Sequence, residues 1–169
     1  MAYHEAGHAV SGWYSEFAAP LIKLTIIPRA KGSLGFAQYL PDELTLYTTE
    51  QLQDMITVAL GGRVAEELFF GRITTGASDD LKKCTQIATA MITQYGMSPL
   101  LGTINYDTES GYQKGYSDKT NRVIDEEVSR IINQSYRACR DILESKQEKI
   151  KQLAEKLLET ETLSLPDIV

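Results

Sequence analysis

The segment at residues 4–8, HEAGH, carries the side chains whose types and spacing best suit chemistry in this sequence. On a helix, positions four apart lie on one face, so His4 and His8 would bind one zinc ion at nitrogen–metal distances of about 2.0–2.1 Å. Glu5 is placed to take a proton from a zinc-bound water, which then attacks a peptide carbonyl. The pattern predicts a zinc-dependent peptidase with Glu5 as its general base.

The use of histidine in the rest of the chain supports this interpretation. The sequence contains 2 histidines, and both lie in the motif. The residues beside them, at positions 6, 7, 9 and 10, are small or apolar, as a buried metal helix requires. The alternative is an accidental HExxH on an ordinary helix, but chance would rarely place the only two imidazoles four residues apart around a glutamate.

Length and composition indicate an ordinary globular domain. The 169 residues, 43% hydrophobic and 24% charged, are enough for one domain with its own core. No apolar run approaches the roughly 20 residues of a membrane helix, and no signal peptide is recognisable. A net charge of -6 argues against nucleic acid as a partner. We expect Cys84 and Cys139 to be reduced and semi-buried, and no histidine pairs with Cys84 to make it a nucleophile.

A short β element is predicted between the metal helix and the second helix. The metal helix is expected over residues 1–17, followed by strands over 21–28 and 35–40 in which apolar and polar residues alternate. We interpret the strands as a hairpin with one exposed edge, which would pair with an extended substrate. The alternative is a purely structural hairpin. The edge residues that would pair are Gly35, Phe36, Ala37, Gln38 and Tyr39.

The other elements are predicted to be helices, so the fold class is mainly α, in one domain over residues 1–169. Apolar residues at helical spacing predict a helix from residue 48 or 49 that ends at Gly71. Within it, Gly61-Gly62 costs roughly 1 kcal/mol per glycine relative to alanine and suggests close packing against another backbone. Further helices are expected at residues 79–96 with Ser78 as the cap, 123–143, 147–159 and 163–169.

A third metal ligand must come from elsewhere in the chain, because no histidine remains. It must be a carboxylate or a thiolate. Spacing does not decide between the candidates, although an analogy with thermolysin favours a glutamate. Exposure to solvent is the alternative role for the glutamates, and helix capping is the alternative for the aspartates. The candidates are Glu66 and Glu67 in the second helix, and Asp79 and Asp80 at the start of the next.

The chain resembles the FtsH-type AAA proteases, above all the mitochondrial m-AAA proteases, in five stretches that cover nearly its whole length. In order they read HEAGHAVSGWY, LIKLTIIPR, LGFAQYLP, GGRVAEELFFG and TTGASDDLKK. In that family the third ligand is the aspartate before the apolar residue of the GAS-x-D segment. The resemblance therefore implies that Asp80, rather than Asp79, completes one zinc site per chain. It also implies that Glu66 lies near the site and supports one of the histidine ligands without binding the metal itself.

The resemblance further implies a peptidase domain that forms a homo- or hetero-hexameric ring beneath a ring of ATPase modules. Unfolded polypeptides would be its substrates, pulled through a pore into the peptidase chamber. The chain has no GxxxxGK[ST] loop, so ATP would be bound only by a separate ATPase module. We expect that module and any membrane segments N-terminal to Met1. The implied location is the mitochondrial inner membrane, facing the matrix, or alternatively the cytoplasmic side of a bacterial plasma membrane.

These features predict the proteolytic domain of an ATP-dependent, membrane-anchored zinc metalloprotease that hydrolyses unfolded or damaged membrane-associated proteins. One alternative is a free-standing zinc peptidase. The absence of a helical turn before the metal motif argues against it. A second alternative is a catalytically inactive module that only assembles the ring. The intact HExxH and Asp80 argue against that function.

Overall fold

The computed structural model describes residues 1–28, 35–40, 46–106 and 116–169. Within these ranges, no helix is long and apolar enough to cross a membrane. The predicted class, mainly α with a small β element, is confirmed. The elements are α1 (Ala2–Trp13), β1 (Leu21–Thr25), β2 (Phe36–Tyr39), α2 (Thr49–Phe70), a 3-10 turn (Thr75–Ala77), α3 (Ser78–Thr93), α4 (Asp118–Ser145), α5 (Gln147–Thr160), β3 (Thr162–Ser164) and α6 (Leu165–Ile168).

Helix α2 begins and ends where the sequence predicts. The Thr48 side chain accepts a hydrogen bond from the Gln51 backbone N–H at 3.3 Å, and the Gln51 side chain accepts one from the Thr48 backbone N–H at 2.8 Å. This capping box satisfies two of the amide groups that a helix N-terminus leaves free. At the other end Gly71 has a φ of 62°, a left-handed conformation that glycine adopts without strain.

Helices α1 and α2 cross with their backbones in close contact. A Cβ atom added to Gly7 would lie 2.3 Å from the carbonyl oxygen of Gly61, and one added to Gly61 would lie 2.6 Å from the carbonyl oxygen of Gly7. Only glycine allows this approach, which confirms the close backbone packing predicted from the glycine pair. The contact brings the metal motif of α1 against the middle of α2.

Helix α3 starts one residue earlier than predicted. Ser78 is its first residue and makes no side-chain cap, because the chain enters the helix from the 3-10 turn. Thr74 is the residue whose side chain caps that turn, by accepting a hydrogen bond from the Gly76 N–H. Asp80 consequently lies in the first turn of α3, where its position is fixed by the preceding loop.

Several predicted elements are longer or shorter than the structure shows. The metal helix ends at Trp13 rather than near residue 17, and the first strand ends at Thr25 rather than at residue 28. Helix α4 begins at Asp118, ahead of the first apolar residue of its pattern, because the Ser117 hydroxyl caps it. These differences lie at element ends, where periodicity is a weak signal.

The sheet has three strands in the order β2-β1-β3, and both pairings are antiparallel. The predicted hairpin is present as the antiparallel pair β1–β2, but sequence reasoning missed the third strand, and the helix predicted over residues 163–169 is shorter than expected. β3 pairs with the second edge of β1 and places Leu163 opposite Leu24. Only Leu165–Ile168 are helical, with Pro166 in the first turn, where its fixed φ is favourable.

The chain changes from α5 to β3 at Glu161, which has a φ of 62°. Its carbonyl oxygen accepts hydrogen bonds from the Ile26 N–H at 3.0 Å and the Thr25 hydroxyl at 3.1 Å, which hold this turn against β1. Helix ends of this kind usually carry glycine, so a glutamate gave no signal in the sequence. A strand of three residues is also too short for its alternation to be recognised.

The core is formed where α1, α2, α3, α4 and α5 meet, with Leu24 of the sheet packed against it. Cys84 and Cys139 are free thiols, as predicted, but both are fully buried rather than semi-buried. Burial raises the pKa of each thiol to about 12. Both therefore remain protonated near neutral pH, which agrees with the absence of a nucleophile role.

Candidate metal centre

The two histidines of α1 meet at one point beside α2. Both are buried, and their Nε2 atoms lie 3.1 Å apart. The rings are one helical turn apart on the same face, with an interplanar angle of 79°. The i, i+4 geometry predicted from HExxH is therefore present.

Asp80 of α3 brings a carboxylate oxygen to the same point. Its Oδ2 lies 3.1 Å from His4 Nε2 and 3.2 Å from His8 Nε2. The three atoms form a nearly equilateral triangle. A tetrahedral zinc ion bound at about 2.0–2.1 Å separates its ligand atoms by about 3.3 Å, so the triangle fits such an ion.

The outer nitrogens of both rings are hydrogen-bonded to acceptors, which fixes their tautomers. His4 Nδ1 donates to Glu66 Oε1 at 3.0 Å, and His8 Nδ1 donates to the carbonyl oxygen of Val58 at 2.8 Å. Each Nε2 atom is therefore the unprotonated nitrogen of its ring and directs a lone pair at the shared point. Two such lone pairs and a carboxylate oxygen repel one another unless a cation lies between them.

The other acidic candidates do not reach this point. Glu66 lies behind His4, and both of its oxygens accept hydrogen bonds. Glu67 turns towards α4, where it accepts a hydrogen bond from the Tyr136 hydroxyl and lies 3.7 Å from an Arg140 nitrogen. Asp79 lies on the wall of the adjacent cleft. Among the described residues, His4, His8 and Asp80 are the group whose ligand atoms come together.

Charges around the site favour an ionised Asp80. Burial acts to raise the pKa of its carboxyl, but the neighbouring imidazoles of His4 and His8 outweigh burial and hold that pKa well below its usual value. Burial also acts to lower the pKa of His8, and the Asp80 carboxylate outweighs it and raises that pKa. The site therefore presents an anionic ligand next to two imidazoles, a donor set suited to a divalent cation.

Glu5 lies next to the site without joining the triangle. It is 5% exposed, and its Oε1 is 3.1 Å from the position that a Cβ atom of Gly35 would occupy. Burial raises the pKa of Glu5, against the opposing effect of the two imidazoles. A carboxyl with a raised pKa, facing a cleft beside a metal site, suits proton transfer near neutral pH.

A cleft of about 690 Å³ opens beside His4, Glu5 and His8. The strand β2 forms part of its wall, and the structure places four of the five predicted edge residues there: Gly35, Phe36, Ala37 and Tyr39. Gln38 is the predicted edge residue that does not line the cleft. β2 is also an outer strand of the described sheet, as the edge-strand prediction requires.

Sequence reasoning missed two residues that shape the site. Gly62 leaves room for the imidazole of His4, since a Cβ atom there would lie 2.4 Å from the ring. Thr74 donates hydrogen bonds to Glu66 from its backbone N–H at 3.1 Å and its hydroxyl at 2.9 Å. The second residue of a glycine pair and a threonine before a turn were weak signals for these roles.

Comparison with known proteins gives a consistent set of relatives. A family model described as Peptidase family M41 matches residues 1–169. Over the whole of this chain, the identity is 50% to the ATP-dependent zinc metalloprotease FtsH of Rhodothermus marinus and 53% to the mitochondrial inner membrane m-AAA protease component AFG3L2 of Mus musculus. It is 46% to the m-AAA protease component YTA10 of Saccharomyces cerevisiae. The chain spans 25%, 21% and 23% of these three relatives.

Proposed function

The chain belongs to peptidase family M41, and we propose that it is the proteolytic domain of an ATP-dependent zinc metalloprotease. The family membership confirms the resemblance to FtsH-type and m-AAA proteases predicted from the motifs. The observation that carries the proposal is the triangle of His4 Nε2, His8 Nε2 and Asp80 Oδ2. These three atoms would hold one zinc ion.

When bound, zinc supplies a Lewis acid that polarises a peptide carbonyl and makes water acidic enough to lose a proton near neutral pH. Glu5 would take that proton as general base, because its buried carboxyl lines the cleft beside the triangle and has a raised pKa. It then passes the proton to the leaving amine. Glu66 and the Val58 carbonyl keep the two imidazoles in the required tautomer throughout.

The substrate would be an extended polypeptide paired with β2. This strand is outermost in the described sheet, and Gly35, the residue just before it, adjoins Glu5. Pairing of backbone groups to an outer strand is largely independent of sequence. Such binding suits the degradation of unfolded or damaged chains, and a free-standing peptidase for small peptides would need no extended edge.

The rest of the proposed machine is inferred from the relatives. The name of the Rhodothermus marinus relative describes an ATP-dependent zinc metalloprotease, and the names of the mouse and yeast relatives describe components of a mitochondrial inner membrane m-AAA protease. We infer that this domain works with an ATPase module and membrane segments N-terminal to Met1, in a homo- or hetero-hexamer. We place the protein in the mitochondrial inner membrane facing the matrix, with the cytoplasmic side of a bacterial plasma membrane as the alternative.

The proposed function is tested by comparing the purified wild-type protein with Glu5→Gln for zinc content and for casein hydrolysis in the presence of ATP. We expect the variant to keep its zinc and to lose activity by about 10²–10⁴-fold, the usual contribution of a general base. An inactive ring-assembly module would leave the wild type without hydrolysis. Full activity of Glu5→Gln would exclude the proposed mechanism.

A further inference from the structure

Thr74 connects Glu66, the hydrogen-bond partner of His4, to the 3-10 turn that precedes α3 and Asp80. Its hydroxyl donates to Glu66 Oε1 at 2.9 Å, the same oxygen that accepts the hydrogen bond from His4 Nδ1 at 3.0 Å. Its backbone N–H donates to the other oxygen, Oε2, at 3.1 Å. Thr74 therefore holds both oxygens of the carboxylate that fixes the imidazole of His4.

Thr74 also makes hydrogen bonds to the 3-10 turn that leads into α3 and to α2. The Thr74 hydroxyl oxygen accepts a hydrogen bond from the Gly76 N–H at 3.2 Å, which starts the 3-10 turn leading into α3. Its carbonyl oxygen accepts one from Arg63 Nη2 at 3.3 Å. Arg63 and Glu66 are neighbours on one face of α2. Helix α2 therefore holds the Thr74 backbone by both its carbonyl oxygen and its N–H group.

We propose that Thr74 is a positioning residue for the metal centre, acting through Glu66 on His4 and through the 3-10 turn on Asp80. The inference rests on the proposed function, because it concerns the affinity of the zinc site. A glutamate side chain has several rotatable bonds, and a single hydrogen bond from His4 would leave its carboxylate free to rotate. Two hydrogen bonds from Thr74 remove that freedom, so His4 and Asp80 are aligned before the metal binds.

The hydroxyl, rather than the bulk of the side chain, is the group that acts. Replacing it with a methyl group in Thr74→Val removes one hydrogen bond to Glu66 and the cap of the 3-10 turn, while the backbone N–H contact remains. Thr74→Ser keeps the hydroxyl and loses only a methyl group. Thr85→Val is the matched control, because its exposed hydroxyl donates to the Leu81 carbonyl oxygen within α3 and touches neither Glu66 nor the cleft.

The test measures the zinc dissociation constant of the purified protein by competition with a chelator. Loss of an outer hydrogen-bond partner of a metal ligand weakens binding by about 10–100-fold, and we expect about tenfold for Thr74→Val. Thr74→Ser and Thr85→Val should bind zinc within about twofold of the wild type. Wild-type affinity in Thr74→Val, or an equal loss in Thr74→Ser, would overturn the inference.

Two further measurements separate positioning from a structural role. If Thr74 acts through Glu66, Thr74→Val should weaken zinc binding much less in a Glu66→Ala background than in the wild type, and fully additive losses would contradict that route. Melting temperatures are recorded in excess chelator, and a structural role would lower them while the zinc dissociation constant stayed unchanged. Should Thr74→Val fail to fold, Thr74→Ala serves in its place. A wild type that binds no zinc would instead refute the proposed function.

Discussion

Two acidic clusters in this protein differ in whether every hydrogen-bond acceptor has a donor. The metal cluster consists of His4, His8, Asp80 and Glu66, and the loop cluster consists of Ser98, Glu127 and Arg130. In the loop cluster, Glu127 is 2% exposed and accepts hydrogen bonds from the Ser98 hydroxyl at 2.6 Å and from the Arg130 guanidinium. Donors and acceptors match there, so the cluster needs no further partner.

In the metal cluster the outer hydrogen bonds are equally complete, but the inner atoms are all acceptors. Two ring nitrogens and a carboxylate oxygen lie 3.1–3.2 Å apart with their lone pairs directed at one another. Burial of acidic groups is common to both clusters. The excess of acceptors converging on one point is what distinguishes a site for a cation from a structural network.

The largest predicted effects come from substitutions in the metal cluster, at the proposed ligand Asp80 and at Glu66, the partner of His4. Asp80→Ala should lose stoichiometric zinc and all measurable proteolysis, because a ligand is removed. Glu66→Ala should weaken zinc binding by about 10–100-fold and retain zinc at high metal concentration. Metal analysis of dialysed protein measures both. If Glu66→Ala empties the site and Asp80→Ala does not, the assignment of the third ligand is wrong.

The next prediction separates the chemistry of the cleft from metal binding. In Gly35→Ala the new Cβ would lie 3.1 Å from Glu5 Oε1 and 2.9 Å from the Thr25 carbonyl oxygen. Displacement of the general base should lower kcat by about 10–100-fold, while zinc content stays at the wild-type level. Gly102→Ala is the control for general destabilisation, because a Cβ there meets nothing within 4 Å while the φ of 67° strains any side chain. Equal activity of Gly35→Ala and the wild type would show that Glu5 needs no clearance at this position.

A third prediction breaks the loop cluster. Glu127→Gln removes the charge that pairs with Arg130 and should lower the free energy of unfolding by about 1.5–3 kcal/mol, the usual range for hydrogen bonds to a charged group. Zinc content should not change. Urea unfolding measures the difference, with Glu126→Gln, at an exposed position of the same helix, as the control. A loss of zinc in Glu127→Gln would mean that the two clusters are coupled.

The smallest predicted effect is the pH dependence of the contribution that Glu127 makes to the free energy of unfolding. Hydrogen bonding to Arg130 lowers the pKa of Glu127 below its ordinary value of 4.5, against burial, which acts in the opposite direction. A depressed pKa stabilises the folded state above the unfolded pKa, and this stabilisation is lost as pH falls through the folded pKa. The stability difference between wild type and Glu127→Gln should therefore be constant from pH 7 to about 5.5 and shrink below pH 4.5. Urea unfolding in excess chelator measures this difference, and a difference that grows on acidification would contradict the assigned cause.

Sequence reasoning predicted the parts of the metal cluster that depend on local spacing. The i, i+4 histidines and the glycine pair of α2 follow from helix geometry, and the structure shows both. The third ligand depends on how α3 meets α1, which spacing cannot determine, and only the family resemblance favoured Asp80. The structure brings its oxygen to the two imidazoles, whereas its role as a ligand remains our proposal.

The errors lie where long-range pairing overrides local pattern. β3 exists because β1 offers a second edge, and residues 162–164 alone contain no signal for that partner. Thr74 was missed for a similar reason, because its role depends on Glu66, eight residues earlier on a different element. Short segments whose conformation depends on a distant partner are not readable from periodicity.

The central claim is that three atoms of this chain bind one zinc ion. Diffraction data collected on both sides of the zinc absorption edge, from crystals grown without added metal, test it most directly. We predict one anomalous peak per chain, about 2.0–2.2 Å from His4 Nε2, His8 Nε2 and Asp80 Oδ2. A peak next to Glu66 or Glu67 instead of Asp80, or no peak from protein purified without chelators, would contradict the account.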